Sequence, residues 1–499
     1  MTHEVEAAAY ILRAMEEIEK NGDPYANDEE LYQACRLAYG VTFNAYRADK
    51  AVLVRAKALR VEGKRIYRAR MCSYENFAAK RLAKLLGKPQ LDVPEAENPL
   101  KCGDVILNVD QREAVLLALK NRIRVICGGA GSGKTTTIQA ILEKYKDMDE
   151  EKSVLLAAPT GKAARVLSQT TGWRARTVHS ALGRTPDDDF LAPVEWLQLG
   201  LIIIDESSML SLELLAGILS RMPDDCRCVL VGDPGQLQAV GAGNVLLDLR
   251  ALNVPNAVLK TQYRQRNRTS ALTYNVHAFA QICTGQELRF DESFRFISCG
   301  EDEIVDVMCC AAKKYWDAGE DVQMLAATKD IVQRLNLTIQ AICNPRSKSK
   351  LEYGTFREGD QVMILKNIPL KSCCNGDVGI LHFENDLFGN PCISVVRRNG
   401  CVSTFTFQEA RTKLTLAYAS TIHKAQGSQA EHIIIYCGRN GVPLAKRNLI
   451  YTAISRARTD ALLVGDRTTL DRAIQTQPRI RKSMLVIKTR QAQHGWPAA

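Results

Sequence analysis

The chain has no long apolar run. Its longest hydrophobic stretches, such as 201–204, fall far below the ~18 residues that a membrane-crossing helix needs, so no membrane span is expected in these 499 residues. It also has no Cys-x-x-Cys among its 16 cysteines. The close pairs Cys226/Cys228, Cys309/Cys310 and Cys373/Cys374 have no histidine at zinc-finger spacing, and near neighbours do not easily bridge. Reduced, mostly buried thiols in a cytoplasmic protein are the expectation. The opening MTHEVEAAAY lacks the basic-then-apolar order of a secretory signal. Neither sign of charge dominates: 66 Lys and Arg against 56 Asp and Glu leave +10, which permits a polyanionic partner without requiring one. With 46% apolar and 24% charged residues, a disordered chain, a collagen-like fibre and a coiled-coil rod are excluded. At ~150 residues per domain the length predicts about three domains.

What is present is an α/β pattern behind a helical leader. Residues 1–98 carry apolar positions at helical spacing in AYILRAMEEIEK, DEELYQACRLAYG and NAYRADKAVLVRAKAL, then a short hairpin turning at Glu62 and Gly63, then a helix over 72–86. Helix, helix, helix, hairpin is the outline of a winged helix, which serves either as a contact surface or as packing. From about 101, short β-branched runs alternate with helices, the mark of a parallel sheet. The strand candidates are 124–127, 154–158, 201–205 and 228–233, with a second series at 321–328, 416–421, 432–437 and 461–466. Between 351 and 412, short strands with Gly and Asn turns predict an inserted small β-barrel or meander. Residues 479–499 read as a basic, weakly structured tail.

The first strand runs into GGAGSGKTT, with Gly128, Gly133, Lys134 and Thr135 matching G-x-x-x-x-G-K-[ST]. Glycines let backbone N–H groups close around a β-phosphate, and the following helix adds its N-terminal dipole. The cradle comprises Gly128, Gly129, Ala130, Gly131, Ser132, Gly133, Lys134, Thr135 and Thr136. Lys134 suits the β- and γ-phosphates, and the Thr135 hydroxyl suits Mg²⁺. The third strand ends in IIIDESS. Asp205 stands where a Mg²⁺-directed carboxylate belongs, and Glu206 is placed to polarise an attacking water, which favours hydrolysis over transfer.

The remaining motifs resemble the RecD-like branch of superfamily 1 helicases, over roughly 101–490 and in the family's order. They are NVDQREAV (108–115), GGAGSGKTT (128–136), APTGKAARVLSQTTG (158–172), TVHSALG (177–183), IIIDESSM (202–209), GDPGQLQAVGAGNVLLDL (232–249), LKTQYRQ (259–265), LNLTIQAICNP (335–345), NGDVG (375–379), AYASTIHKAQGSQA (417–430) and LIYTAISRAR (449–458). The resemblance implies ATP and Mg²⁺ between two RecA-like lobes, at 99–258 and at 259–350 with 413–478. It also implies a Src-homology-like barrel at 351–412. Gln111 resembles the family's adenine-reading glutamine, its amide offering one donor and one acceptor. Gln236 resembles its γ-phosphate sensor, and Arg264 and Arg456 resemble the arginines that reach the γ-phosphate across the cleft. Pro159, Thr160, Thr177 and His179 match first-lobe DNA contacts, and Thr421 and His423 match second-lobe ones, suited to holding phosphates without reading sequence. Trp173 and Tyr418 are read as core residues before base-stacking ones.

The implied activity is an ATP-dependent translocase or helicase on single-stranded DNA, or on duplex with a single-stranded tail, moving 5′ to 3′. A DNA-stimulated ATPase switch that loads a partner is the alternative, and the N-terminal domain leaves room for a protein partner. Unwinding members of the family carry a hairpin before the DES motif. Here that stretch, 183–200, is short with three Asp at its centre, so a strand-splitting pin is expected to be small at most.

Overall fold

The computed structural model describes residues 2–93, 100–148, 151–184, 194–261, 263, 270–280, 287–346, 352–368, 371, 373–386, 389–439 and 446–495. Two parallel sheets dominate. The first has six strands in the order Asn256–Leu259, Ile123–Gly128, Arg227–Gly232, Leu199–Ile204, Ser153–Ala158, Ala175–Thr177, every pair parallel. A parallel sheet is covered on both faces, so its strands are apolar without alternation. Ile202 and Ile204 face one core with Val125, Leu215 and Leu219. Leu201 and Ile203 face the other with Ile126, Ile138 and Val115.

The second sheet has five parallel strands, Phe294–Ser298, Ala457–Gly465, Ala430–Cys437, Val322–Ala326 and Ala419–Thr421. Ile434 points to one core and Ile433 with Ile435 to the other. The edge strand Phe294–Ser298 was not among the sequence candidates. FRFIS carries two charged or polar residues in five and has solvent on its outer side.

Between these strands lies an antiparallel sheet in the order Val402–Phe405, Pro391–Arg397, Val378–Asn385, Gln361–Ile364, Leu414–Leu416. Its last strand lies beyond the expected limit of 412. After the helix Phe407–Lys413 the chain returns to pair Leu416 with Val362 before it enters the second parallel sheet.

The leader divides differently from a 1–98 unit. The helices Ala9–Lys20, Asp28–Tyr39 and Phe43–Arg55, with the hairpin Leu59–Glu62/Arg65–Arg68, enclose their own core of Ile11, Met15, Leu31, Leu53 and Ile66. A capping box between Asn27 and Glu30 starts the second of these helices, and Gly40 at φ 68° ends it. The helix Ala69–Leu86 instead gives Met71, Ala79, Leu82 and Leu85 to the core of the first parallel sheet. It is part of that lobe.

The expected weak tail is also corrected. Residues 485–493 form the helix Leu485–Gln493, with Leu485 fully buried in the same first-lobe core. Its charge is what anchors it. Lys488 pairs with Glu62 and Glu75, the Met484 N–H donates to Glu75, and Arg479 reaches Asp23. Arg481 donates to the carbonyls of Ala239, Gly241 and Gly243, and the Gly243 N–H donates to Gly22 O.

This clasp contains a titratable group. Asp248, on the helix Val245–Ala251, is buried and accepts from Ser483 Oγ at 2.7 Å. Burial raises its pKa to about 7, with the charge of Glu75 adding to the effect and the Ser483 bond opposing it. Unfolded, the carboxyl titrates near ~3.9. The folded state therefore holds the proton more tightly, so this group's contribution is complete below about pH 4 and is lost as pH rises through 7. Asp248→Asn should stabilise the protein at pH 8 by up to about 4 kcal/mol, an advantage that shrinks to near zero by about pH 4. Thermal unfolding of both proteins across that range checks this; a pH-independent difference would show that ionisation is not the cause.

Candidate active site

The loop after Ile123–Gly128 opens at the carboxyl end of the first sheet, where parallel α/β sheets bind ligands. It leads into the helix Lys134–Met148, whose first-turn N–H groups face the loop. Gly131 and Gly133 sit at φ 77° and 82°. At Gly133 a side chain would also strike Gln111 Nε2, 2.4 Å from the Cβ position, so both backbone and space require glycine. Lys134 Nζ donates to the loop carbonyls of Gly128 and Gly129 at 2.8 and 2.9 Å.

A cavity of about 480 Å³ stands over this loop. Its walls bring together Gln111, Ala130–Thr136 of the loop, Asp205, Glu206 and Gln236 from the first lobe, and Arg456 from the second. Gly128 and Gly129 lie behind Lys134, as its acceptors. Arg264 lies outside the described residues.

The electrostatics of the pocket are unbalanced. Asp205 is half-buried beside Glu206; desolvation first, then that neighbour, raises its pKa, while Lys134 pulls it down. Glu206 stands at φ 50°, a left-handed backbone that a non-glycine residue adopts at a cost of about 1–3 kcal/mol. The Glu206 N–H donates to Asp205 Oδ1 at 2.8 Å, and Ser207 Oγ donates to Val231 O, which together fix the turn. Glu206 Oε2, Gln236 Oε1 and Ser132 Oγ are buried with no hydrogen-bond partner among the described groups. The Arg456 guanidinium, 3% exposed, bonds to neutral acceptors: Thr452 O, Ser455 Oγ and Ser428 O. Buried polar atoms and charges in this state call for a ligand with donors, acceptors and negative charge.

Gln111 is in the pocket, but its amide is engaged. Its Oε1 accepts from the Asn108 N–H at 3.1 Å, closing a capping box, and its Nε2 donates to Gly133 O at 3.4 Å. Sequence reasoning missed three residues at the mouth. Val105 and Ile106, in the hairpin Lys101–Cys102/Val105–Ile106, are exposed apolar side chains on the rim. Tyr263 accepts from Asn108 Nδ2 at 2.7 Å through its hydroxyl and donates its N–H to Gly131 O. Tyr263 lay within the quoted LKTQYRQ motif. The apolar pair Val105-Ile106 just after Gly103-Asp104 was the other available signal.

A second cavity, about 290 Å³, is lined by Pro159, Thr160, Thr177, His179 and His423 together with Lys162, Asn367, Asn375, Lys424 and Gln426. Thr421 lines a neighbouring cavity of about 520 Å³ that shares Lys424. The Thr160, Thr177 and Thr421 hydroxyls each accept a backbone N–H, from Ala163, Ser180 and Lys424, so each keeps its own O–H to donate. Burial lowers the pKa of both His179 and His423. Trp173 packs on the first core, and Tyr418 is buried in the second, its hydroxyl donating to Asp360 at 2.9 Å. The segment expected to hold a small pin falls mostly in 185–193, outside the described residues.

Fold and pocket together define a P-loop protein of two parallel α/β lobes, with a cavity over the loop walled by residues of both. Residues 106–302 match the family described as an AAA domain, and residues 416–464 match that described as a UvrD-like helicase C-terminal domain. The chain is 29% identical over 458 residues to the ATP-dependent RecD2 DNA helicase of Deinococcus radiodurans, covering 89% of this chain and 61% of that protein. It therefore spans about three fifths of that relative's length. It is 29% identical to the RecBCD enzyme subunit RecD of Mycolicibacterium smegmatis, covering 74% of this chain and 73% of that one. A Pif1 helicase from Bacteroides in complex with ADP-AlF3 and single-stranded DNA superposes with a TM-score of 0.48 at 22% identity, covering 79% of this chain and 98% of the other. Over most of its length the chain is similar to RecD-type DNA helicases.

The site makes a direct prediction. Lys134→Ala removes the loop's cation without opening a core, so the thermal unfolding midpoint should stay within a degree or two while affinity for a fluorescent ATP analogue falls at least about tenfold. Unchanged affinity in the folded variant would remove the phosphate-cradle reading.

Proposed function

We propose that the protein is an ATP-driven motor on single-stranded DNA, a translocase and helicase moving 5′ to 3′ as the RecD-like resemblance implies. The observation that carries this is the single cavity walled by Lys134, Asp205, Glu206 and Gln236 of one lobe and Arg456 of the other. A site made by two lobes changes when they move, which is what coupling hydrolysis to translocation needs.

The triphosphate lies along the loop, its β-phosphate against the N–H groups before Lys134 and its γ-phosphate towards Gln236 and Arg456. The base rests against Val105, Ile106 and Tyr263. Thr135 and Asp205 would hold Mg²⁺, and the donor set fits, since burial leaves the Asp205 carboxylate in need of a cation; the metal, when bound, neutralises charge developing on the phosphates. Glu206, with one buried oxygen unsatisfied, accepts a proton from the water that attacks the γ-phosphorus. The P–O bond to ADP breaks, and ADP and inorganic phosphate leave. Arg456 steadies the charge on the transferring group, and Arg264 is assigned the same task by its motif.

Single-stranded DNA runs through the two cavities joined at Lys424. Their described walls hold Lys162, Lys329, Arg411 and Lys424 and not one Asp or Glu. In a chain with 56 acidic residues that exclusion favours a phosphate backbone as occupant. We read the antiparallel sheet as the inserted Src-homology-like barrel, which gives Asn367 and Asn375 to the channel wall. The N-terminal helices and hairpin are read as a winged helix.

Steady-state ATPase with and without single-stranded DNA tests the reading. Stimulation is expected in the wild type, with Glu206→Gln still binding ATP but turning it over at least about 10²-fold more slowly. A Glu206→Gln enzyme with wild-type turnover overturns the assignment. Binding to single strands should weaken with salt at a log–log slope of about −0.7 per phosphate neutralised and ignore sequence; a flat response would remove the channel. Strand separation on a forked duplex then distinguishes a helicase from a DNA-stimulated switch.

A further inference from the structure

The turn that carries Gln236 is held in part from the other lobe. It follows the strand Arg227–Gly232, and its anchor is Asp233, 2% exposed. Asp233 Oδ1 accepts from the Gly235 N–H at 3.0 Å, and Asp233 Oδ2 accepts from Gln236 Nε2 at 3.2 Å. Onto that same Oδ2 the Tyr451 hydroxyl donates at 2.6 Å. Tyr451 belongs to the second-lobe helix Arg447–Ile454 and is fully buried. Its oxygen also accepts from the Ala130 N–H of the phosphate loop at 3.4 Å. One phenol thus touches the phosphate loop, the sensor's anchor and the second lobe at once.

Three further features fix this contact. Gly235 is where the ring seats: a Cβ there would lie 3.0 Å from Tyr451 Cε1. The next residue, Thr452, accepts from the Leu237 N–H at 3.1 Å, and Gln426 donates to Leu237 O at 3.3 Å. Arg456 follows just past the end of Tyr451's own helix, so whatever fixes that helix on the first lobe also fixes the arginine's reach into the pocket.

We propose that Tyr451 is a positioning residue that registers the second lobe on the first and so sets Gln236 and Arg456 for hydrolysis only when the lobes are closed. The proposal rests on the ATPase reading above and adds to it the group that couples lobe position to turnover. Tyr451 touches no substrate. It acts by holding Asp233, which holds the Gln236 amide through Nε2 and leaves Oε1 free to accept from the attacking water. A phenol suits the task because burial and the Asp233 carboxylate raise its pKa well above the usual range, which keeps it a donor throughout the working pH.

The test is Tyr451→Phe, which deletes one oxygen and keeps the ring. With saturating single-stranded DNA, kcat for ATP should fall roughly 10- to 100-fold, the range expected for losing one buried hydrogen bond to a carboxylate. KM for ATP and the DNA concentration giving half-maximal stimulation should each stay within about threefold. Asp233→Asn combined with Tyr451→Phe should be no slower than the worse single variant, since both cut the same bond. Gly235→Ala, which pushes the ring away without touching its hydroxyl, should reproduce the kcat loss, and it decides the matter if Tyr451→Phe folds poorly. A merely structural tyrosine would lower the unfolding midpoint and leave kcat per folded molecule unchanged; that outcome, or wild-type kcat in both variants, overturns the proposal. Failure of the wild type itself to hydrolyse ATP with DNA present would sink the ATPase reading instead.

Discussion

The structure depends on gathering charged groups from both lobes around one pocket. Asp205, Glu206 and Lys134 lie at the carboxyl end of one sheet, and Arg456 reaches them from the other lobe. Arg456 is buried and the other three are partly buried, and taking charge out of water has a cost unless an opposite charge compensates. The protein accepts that cost where a polyanionic ligand would offset it. The two sheets, whose cores are otherwise ordinary aliphatic packing, hold these groups at one junction. The left-handed backbone at Glu206 belongs to the same constraint, a local strain that the surrounding turn holds in place.

Much of this was legible in the residues. A glycine-rich loop between a β-branched strand and a helix has few alternatives, and the structure puts Gly128–Thr136, Asp205, Glu206, Gln236 and Arg456 at one place. Helices with apolar residues at helical spacing were also legible: AYILRAMEEIEK coincides with Ala9–Lys20. What escaped were features decided by contacts distant in sequence. The strand Phe294–Ser298 has only the short alternation Phe294-Arg295-Phe296 and pairs along the edge that Ala457–Gly465 offers it. The segment at 485–493 reads as polar and basic, and only the carboxylates Glu62 and Glu75, some four hundred residues earlier, make those charges an anchor. Nearer in sequence, the capping box that Gln111 forms with Asn108 was also not read from the residues.

The channel shows the same logic in reverse. Thr160 and Thr177 use their lone pairs on helix starts, a role that any Thr before a helix fills, and their place beside a cavity whose described walls hold no carboxylate is what distinguishes them. Type and spacing nominated these residues; shared walls group all but Thr421 in one cavity, with Thr421 next door.

The C-terminal clasp has a consequence for how the protein is made. Leu485 completes the core of the first lobe, yet it is synthesised only after the rest of both lobes and the antiparallel sheet. The first lobe must therefore wait, its core open at the face of the helix Ala69–Leu86, while some two hundred or more residues of unrelated structure are added. Domains that fold in order of synthesis escape this delay. Here the order of synthesis and the order of completion differ, and the exposed apolar face of that helix during the interval is the surface a chaperone would meet.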